Sequence, residues 1–165
     1  MTGCALYCGA IEANCTGANA QYVDDADCKT VCAALPPGSG VGATADDIAC
    51  REYHASLAVT NPTTHCPHAG PFGGSACGQP CDAFCIIDVA VCGSGAGKPY
   101  ADLDSCKTAC AAYARGSQVN AAGPSSGNTF DCRAWHLLKA AQSPANAETQ
   151  CPYTAASGAS GFPCR

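Results

Sequence analysis

The order of apolar and polar residues in the first half of the chain predicts short helices. Residues 3–14 hold good helix formers and a Cys-x3-Cys pair, which places both sulfurs on one helix face. Residues 24–35 form a second predicted helix, whose acidic first turn suits the helix dipole. The run Pro36-Pro37-Gly38 ends this helix, since proline cannot continue it.

A third helix is predicted over residues 44–58. Thr44 is its expected N-cap, and Asp47 three residues later completes a variant of the capping box. Its apolar positions follow the i, i+3, i+7, i+8 spacing of a helix with one buried face. They are Cys50, Tyr53, Leu57 and Ala58.

The second half of the chain repeats this pattern. YVDDADCKTVCAA (22–34) corresponds to YADLDSCKTACAA (100–112), and CREYH (50–54) corresponds to CRAWH (132–136). The counterpart helices are expected at 81–92, 102–114 and 129–142, the last capped by Asn128. Self-similarity at this period is typical of repeat proteins, whose units pack on their neighbours.

We therefore predict a small, all-α, disulfide-rich fold of two tandem units. The first unit spans residues 1–79 and the second spans residues 80–165. Each is expected to hold about three short helices joined by irregular Gly/Pro-rich loops. The junction at residues 78–80 is too short for a flexible linker, so the units should pack directly on each other.

Sixteen of the 165 residues are cysteine, a density typical of small secreted domains that rely on disulfides. A zinc-thiolate protein is disfavoured because the chain has no Cys-x-x-Cys pair. Each unit holds an even eight, so four bridges can close within it. The cysteines are Cys4, Cys8, Cys15, Cys28, Cys32, Cys50, Cys66, Cys77, Cys81, Cys85, Cys92, Cys106, Cys110, Cys132, Cys151 and Cys164.

Two antiparallel Cys-x3-Cys helices predict a specific staple, because the first Cys of one helix meets the last Cys of the other. The expected bridges are Cys4–Cys32, Cys8–Cys28, Cys81–Cys110 and Cys85–Cys106. Elimination then suggests Cys15–Cys50, Cys66–Cys77, Cys92–Cys132 and Cys151–Cys164. Spacing alone does not settle these last four.

Charge and hydropathy exclude several classes of partner. The formal net charge is −5 and no Lys/Arg cluster occurs, so no nucleic-acid surface is expected. The longest apolar stretch, residues 85–92, contains Asp88 and is too short to span a membrane. No signal peptide follows Met1, so we expect a mature domain or a fragment of a longer protein.

The repeated phrase Cys-Arg-x-aromatic-His gives the sharpest candidate residues. His54 lies four positions after Cys50, on or beside the inward face of the third helix, and His136 is its counterpart. One interpretation is a core histidine that bonds a carbonyl or an acidic side chain. Another is a metal or haem ligand, because neutral imidazole is a common ligand. Catalysis is the third.

The segment THCPHAG (64–70) adds His65 and His68, three residues apart. With His54 they would form a three-nitrogen metal site if this segment lies over the third helix. The second unit has Gln150 and Tyr153 at these places, so only the first unit could bind in this way. The alternative is a disulfide-anchored loop in which Pro67 fixes a turn.

The two arginines of the repeated phrase are expected to lie at the protein surface. Arg51 and Arg133 follow a cysteine, so each is expected to leave the inward face and pair with an acidic neighbour, as Arg51 could with Asp47. Anion binding is the alternative. If a ligand binds at the CREYH and CRAWH motifs, the residues expected to contact it are Arg51, Tyr53, Arg133, Trp135 and His136. Tyr22 and Tyr100 are expected to wedge between helices.

The Cys-x3-Cys helices, CRxYHA (50–55) and HCPHAG (65–70) together resemble cysteine-rich tandem repeats of uncharacterised secreted bacterial proteins. The resemblance spans nearly the whole chain. It implies a secreted or cell-envelope location and a disulfide-stapled fold, and it implies no activity.

These observations favour a non-enzymatic extracellular module with a structural, adhesive or assembly role. Paired cysteines leave no thiolate nucleophile, and no serine lies in a Gly-x-Ser-x-Gly elbow. No cofactor is expected, and the partner would be a protein, a cell surface or a second copy. The alternative function is metal or haem binding through His54 with His65 and His68.

Overall fold

A computed structural model describes residues 3–38, 44–96, 98–116, 119–156 and 161–165. Within these ranges the chain forms eight α-helices and no β-strand, which confirms the all-α, disulfide-rich prediction. None of the described helices is long and apolar enough to cross a membrane. The helices are α1 (Gly3–Asn14), α2 (Asp25–Ala34), α3 (Ile48–Leu57), α4 (Pro62–Ala69), α5 (Pro80–Cys92), α6 (Leu103–Ala111), α7 (Phe130–Ala141) and α8 (Pro144–Gln150).

The start of α3 differs from its prediction. The helix begins at Ile48 rather than at residue 44, and the Asp47 carboxylate caps it by accepting a 2.8 Å hydrogen bond from the Cys50 amide. The predicted cap at Thr44 was therefore wrong. Asp47 takes over because it is an equally good N-cap that lies directly before the apolar-periodic segment.

The cap of α7 also differs by one residue from its prediction. The Thr129 hydroxyl accepts a hydrogen bond from the Cys132 amide and so caps the helix. Asn128, the predicted cap, instead accepts a hydrogen bond from Arg133 through its side-chain oxygen. A tertiary contact thus takes the side chain that local sequence assigned to the cap.

Each half of the described chain has a fourth helix that the sequence did not predict. Residues 64–70 were expected to form a loop with Pro67 fixing a turn, whereas they belong largely to α4. Pro62 occupies the first turn of this helix, where its missing amide costs nothing, and Asn61 caps it. α8 begins in the same way at Pro144. Both helices are too short to show a clear hydrophobic period.

All sixteen cysteines are paired. The staple between the two Cys-x3-Cys helices was predicted correctly in both halves: Cys4–Cys32, Cys8–Cys28, Cys81–Cys110 and Cys85–Cys106. The four pairings reached by elimination were wrong, and the bridges formed are Cys15–Cys66, Cys50–Cys77, Cys92–Cys151 and Cys132–Cys164.

The unpredicted helix explains these errors. α4 packs against α3 and α1, which brings Cys66 to the end of α1, where it meets Cys15. Cys50 on α3 is then left for Cys77, near the end of the first half. Treating residues 64–70 as a loop made a local Cys66–Cys77 bridge look natural, and that bridge is absent.

The two halves pack directly on each other. Phe72 of the first half lies in a ring cluster with Phe84 and Phe130 of the second, at centroid distances of 6.3 and 5.5 Å. All three side chains are buried. The Ala121 amide also donates to the Ala20 carbonyl across the junction, at 2.8 Å. The core is therefore continuous between the halves.

Two buried tyrosines lie between helices, as predicted. The Tyr22 hydroxyl is 2.8 Å from the Tyr7 hydroxyl, which donates to the Ala69 carbonyl at the end of α4. In the second half the Tyr100 hydroxyl is 2.7 Å from that of Tyr113. Burial raises the pKa of Tyr7 to about 12, so this phenol stays a hydrogen-bond donor at physiological pH.

Candidate functional site

The first arginine of the repeated phrase is fully buried, which corrects the predicted surface position of Arg51. Its guanidinium donates to the Gly70 and Pro71 carbonyls, both at 3.2 Å, and to the Asp47 carbonyl at 3.0 Å. It also forms an ion pair with the Asp46 carboxylate at 2.8 Å. Asp47 thus contacts Arg51 through its backbone and not through the predicted carboxylate pair.

Arg133 has the same arrangement in the second half and is also buried. Its guanidinium donates to the carbonyls of Ala155, Thr129 and Cys164 at 3.0–3.2 Å, and to the Asn128 side chain at 3.0 Å. These bonds tie the end of each half to its third helix. Four of the five guanidinium N–H groups of each arginine are bonded within the chain, and anion binding at either residue stays a prediction.

His54 lies at the centre of a histidine cluster between α3 and α4. It is 8 % exposed, and its Nδ1 lies 2.9 Å from the Nδ1 of His65. The two rings stack with centroids 5.2 Å apart, while the His68 ring stands edge-on to His54 at 4.9 Å. The three side chains that the sequence analysis grouped are therefore brought together.

The spacing within α4 explains this cluster. His65 and His68 are three residues apart, so they share the helix face that packs against α3. Cys66 lies between them in sequence and is bridged to Cys15 of the segment after α1. One ring nitrogen from each of the three histidines lies within 4.8 Å of those of the other two.

The Nδ1 atoms of His54 and His65 lie within hydrogen-bond distance, and the tautomers of the two rings decide which of them donates. The Nδ1 of His68 is buried and has no hydrogen-bond partner in the described part of the chain. Desolvation, together with His54 and His65, lowers the pKa of His68 and favours its neutral ring.

The second half satisfies the equivalent histidine with other side chains. The Nδ1 of His136 lies 2.7 Å from the Gln150 amide oxygen, and its Nε2 lies 3.1 Å from the Ser125 carbonyl. The Tyr153 ring packs edge-on against His136 at 4.9 Å. Gln150 and Tyr153 thus occupy the positions of His65 and His68, as the sequence comparison indicated.

Both repeated histidines also pack beside a disulfide. Nitrogen and sulfur atoms lie within 4.8 Å of one another in the sets Cys50–His54–Cys77 and Cys132–His136–Cys164. The sulfurs are bonded to each other in both sets, so no thiolate ligand is available there. Each of the two repeated histidines therefore lies beside a disulfide of its own half.

The aromatic residues of the phrase have contacts within the chain. The Tyr53 ring is perpendicular to His54 with centroids 5.4 Å apart. Trp135 donates its indole N–H to the Ala121 carbonyl at 3.2 Å, and the Lys139 ammonium lies 5.2 Å from its ring centroid.

Sequence analysis missed a buried carboxylate in the second half. Asp88 on α5 is fully buried, and neither carboxylate oxygen has a hydrogen-bond partner in the described ranges. Burial raises its pKa to about 7, against a smaller opposing contribution from Thr154, whose hydroxyl donates to the Cys151 carbonyl. Aligning the halves on Cys8 and Cys85 could have found it, because Ile11 occupies the same place in the first half.

A cavity of about 220 Å³ lies where the halves meet and is lined in part by Phe72, Arg115, Phe130 and Asp131. The Arg115 guanidinium lies 4.0 Å from the centroid of the Phe130 ring, and the Asp131 carboxylate accepts from the Gly116 amide. Ligand pockets usually exceed about 300 Å³. This cavity is therefore a gap in the junction rather than a developed binding site.

Residues 4–82 match the family model described as the BfoA family C-terminal domain. The match covers just under half of the chain. Aurasperone B biosynthesis cluster protein A of Aspergillus niger is 37% identical over 71 residues, which are 42% of this chain and 23% of that relative. Bifonsecin B biosynthesis cluster protein A of Aspergillus brasiliensis is also 37% identical over 71 residues, 42% of this chain and 24% of that relative.

The chain is thus related to fungal biosynthesis-cluster proteins. It spans only about a quarter of the length of the curated relatives it matches. The bacterial resemblance is not confirmed, because these relatives are fungal proteins from Aspergillus. No solved structure matches the chain.

Proposed function

We propose that the chain is a non-enzymatic, disulfide-stapled extracellular module with a structural or assembly role. One observation carries the proposal: the features that recur in both halves are engaged in holding the fold. The Arg51 guanidinium donates hydrogen bonds to the Gly70 and Pro71 carbonyls, which follow α4. The Arg133 guanidinium donates to the carbonyls of Ala155 and Cys164, near the end of the second half. His54 and His136 pack beside a bridge, and the cysteines are all paired.

The bridges support a location in an oxidising compartment, either secreted or at the cell envelope. Sixteen paired cysteines leave no thiol nucleophile, and cytosolic reductants would work against such a chain. Each bridge in a small domain contributes about 2–4 kcal/mol to stability. Rigidity and protease resistance are therefore the properties that this architecture supplies.

The names of the relatives suggest a biosynthetic setting for this module. Their names place them in the biosynthesis clusters of aurasperone B and bifonsecin B, and the shared segment is about a quarter of each. We infer that the present chain would serve as an accessory module in a comparable setting, with a protein, a surface or a second copy as its partner. Catalysis would then belong to other components.

The proposal is tested by fractionation and proteolysis of the native protein. Antibody detection should find the chain in the medium or cell wall of the producing organism. The purified oxidised protein should resist trypsin, and reduction with dithiothreitol should make its Lys and Arg sites cleavable. Recovery from the cytosol with titratable thiols, or equal cleavage of both forms, would contradict the proposal.

A further inference from the structure

We propose that the first half of the chain binds one divalent transition-metal ion, Zn²⁺ or Cu²⁺, through ring nitrogens of His54, His65 and His68. This inference goes beyond the scaffold role, which needs no ion. Imidazole suits both metals, and three imidazoles with an open fourth position form a common zinc ligand set. The three residues lie on two neighbouring helices, α3 and α4.

The distances are close to those of a metal centre. At a metal–nitrogen length of about 2.0–2.1 Å, two ligand nitrogens are about 2.9 Å apart in a square-planar arrangement and about 3.3 Å apart in a tetrahedral one. The Nδ1 atoms of His54 and His65 are 2.9 Å apart. One ring nitrogen from each of the three histidines lies within 4.8 Å of those of the other two. Rotation of the His68 ring and a small adjustment of the others would complete the set.

The same distance disfavours a haem held axially between His54 and His65. Two axial imidazoles hold their nitrogens about 4 Å apart, one on each side of the macrocycle. His54 and His65 are in direct contact, so no porphyrin fits between them.

The ligands are held in place before an ion arrives. Cys66, between His65 and His68, is bridged to Cys15, and Cys50, one helical turn before His54, is bridged to Cys77. Ligand-bearing helices that are fixed by covalent links lose little conformational freedom on binding. Both α4 histidines are partly exposed, which leaves a path for the ion and room for a water ligand.

The second half shows that the scaffold does not require this cluster. There, Gln150 and Tyr153 take the two α4 positions and leave His136 with a partner for each ring nitrogen. In the first half the same fold instead brings three histidine rings together, and the buried Nδ1 of His68 has no hydrogen-bond partner among the described residues. A metal ligand role explains this arrangement, whereas core packing alone does not.

The test is calorimetric titration of the oxidised, metal-stripped chain with Zn²⁺ and, separately, with Cu²⁺. We expect one ion per chain. His65→Gln and His68→Tyr, which install the side chains of the second half, should each weaken binding by at least about 100-fold, since loss of an outer-sphere partner alone costs 10–100-fold. His136→Gln should leave the stoichiometry and affinity unchanged. For Cu²⁺, electron paramagnetic resonance should count three nitrogen ligands, a number that a purely structural effect would not reproduce.

A gain-of-function variant keeps the inference testable if the single variants fold poorly. Gln150→His combined with Tyr153→His should create a second site next to His136 and raise the stoichiometry to two ions per chain. Circular dichroism and thiol counting check that each variant is folded and fully bridged. Absence of binding by the native chain, or binding that survives both His65→Gln and His68→Tyr, would overturn the proposal. Either result would leave the scaffold function intact.

Discussion

The fully buried Arg51 guanidinium donates to the partly exposed Asp46 carboxylate at 2.8 Å. Arg133 makes the same contact with the neutral side chain of Asn128, at 3.0 Å. The charge of the partner is therefore dispensable, while the buried guanidinium and its bonds to carbonyls are common to both halves. Each arginine acts as a polar tie between a helix and the end of its half.

We predict that Arg51→Met lowers the free energy of unfolding by about 2–5 kcal/mol, because each buried carbonyl that loses its donor costs about 1–3 kcal/mol. The substitution leaves the Gly70 and Pro71 carbonyls and the Asp46 carboxylate without their donor. Chemical denaturation of oxidised protein measures the loss. Asp46→Asn, which copies the second half, is the matched control and should cost under about 1 kcal/mol. Equal losses in the two variants would contradict this account.

The bridges at the helix ends give a covalent test of the fold. Peptide mapping without reduction should recover Cys15 linked to Cys66, and Cys50 linked to Cys77. The reason is that α4 packs against α1 and so carries Cys66 away from Cys77. A Cys66–Cys77 peptide would show that α4 does not pack against α1 in this way.

Asp88 predicts an unusual dependence of stability on pH. Its pKa is about 7 in the folded protein and about 3.8 in a model peptide, so the folded state retains a proton that the unfolded state has released between these values. The contribution of Asp88 to the free energy of unfolding is therefore fully present below about pH 4. It is lost as the pH rises from about 4 to about 7, so the folded protein becomes less stable over this range. The total loss corresponds to roughly 4 kcal/mol at 1.36 kcal/mol per pKa unit.

Asp88→Ile, which installs the Ile11 of the first half, should raise the free energy of unfolding at pH 8 and flatten its decline between pH 4 and 7. Denaturant titrations at several pH values check both effects. Asp27 contributes a slope of the same sign, because burial raises its pKa to about 6, so some decline should persist in the variant. A wild-type protein that gains stability from pH 4 to 8 would refute the role given to Asp88.

The aromatic junction predicts that the halves unfold together. Phe72→Ala removes a buried ring that contacts Phe84 and Phe130, and we expect a loss of about 3–5 kcal/mol. Because the ring couples the halves, the variant should also unfold over a broader, less cooperative transition by calorimetry. Leu6→Ala, at a side chain that is 52 % exposed, should change stability by under about 0.5 kcal/mol. A sharp transition with little loss in the Phe72 variant would indicate independent halves.

Sequence reasoning was accurate where a local pattern determined the structure. Helices α1, α2 and α5 lie within one or two residues of their predicted bounds, and the Cys-x3-Cys spacing was enough to assign four bridges. Sulfurs four residues apart share a helix face, so two such helices in antiparallel contact can pair in only one order. The grouping of His54, His65 and His68 likewise followed from their positions in the repeated phrase and the loop motif.

Other features depended on contacts between segments that are distant in the chain. Arg51 was expected at the surface because its position on α3 borders the apolar face, yet the Gly70 and Pro71 carbonyls fold over it and accept its donors. α4 was missed since it is short and has two prolines, one of them inside the helix.

By itself, the sequence determined an all-α chain in which every cysteine has a partner, because spacing and helical period are local properties. Only the tertiary structure decided which remaining cysteines pair, that the arginines are buried, and that His54 touches His65 at 2.9 Å. These outcomes follow from where α4 packs. Its position is set by the shared core, since a helix of eight residues has too little period of its own to reveal its contacts.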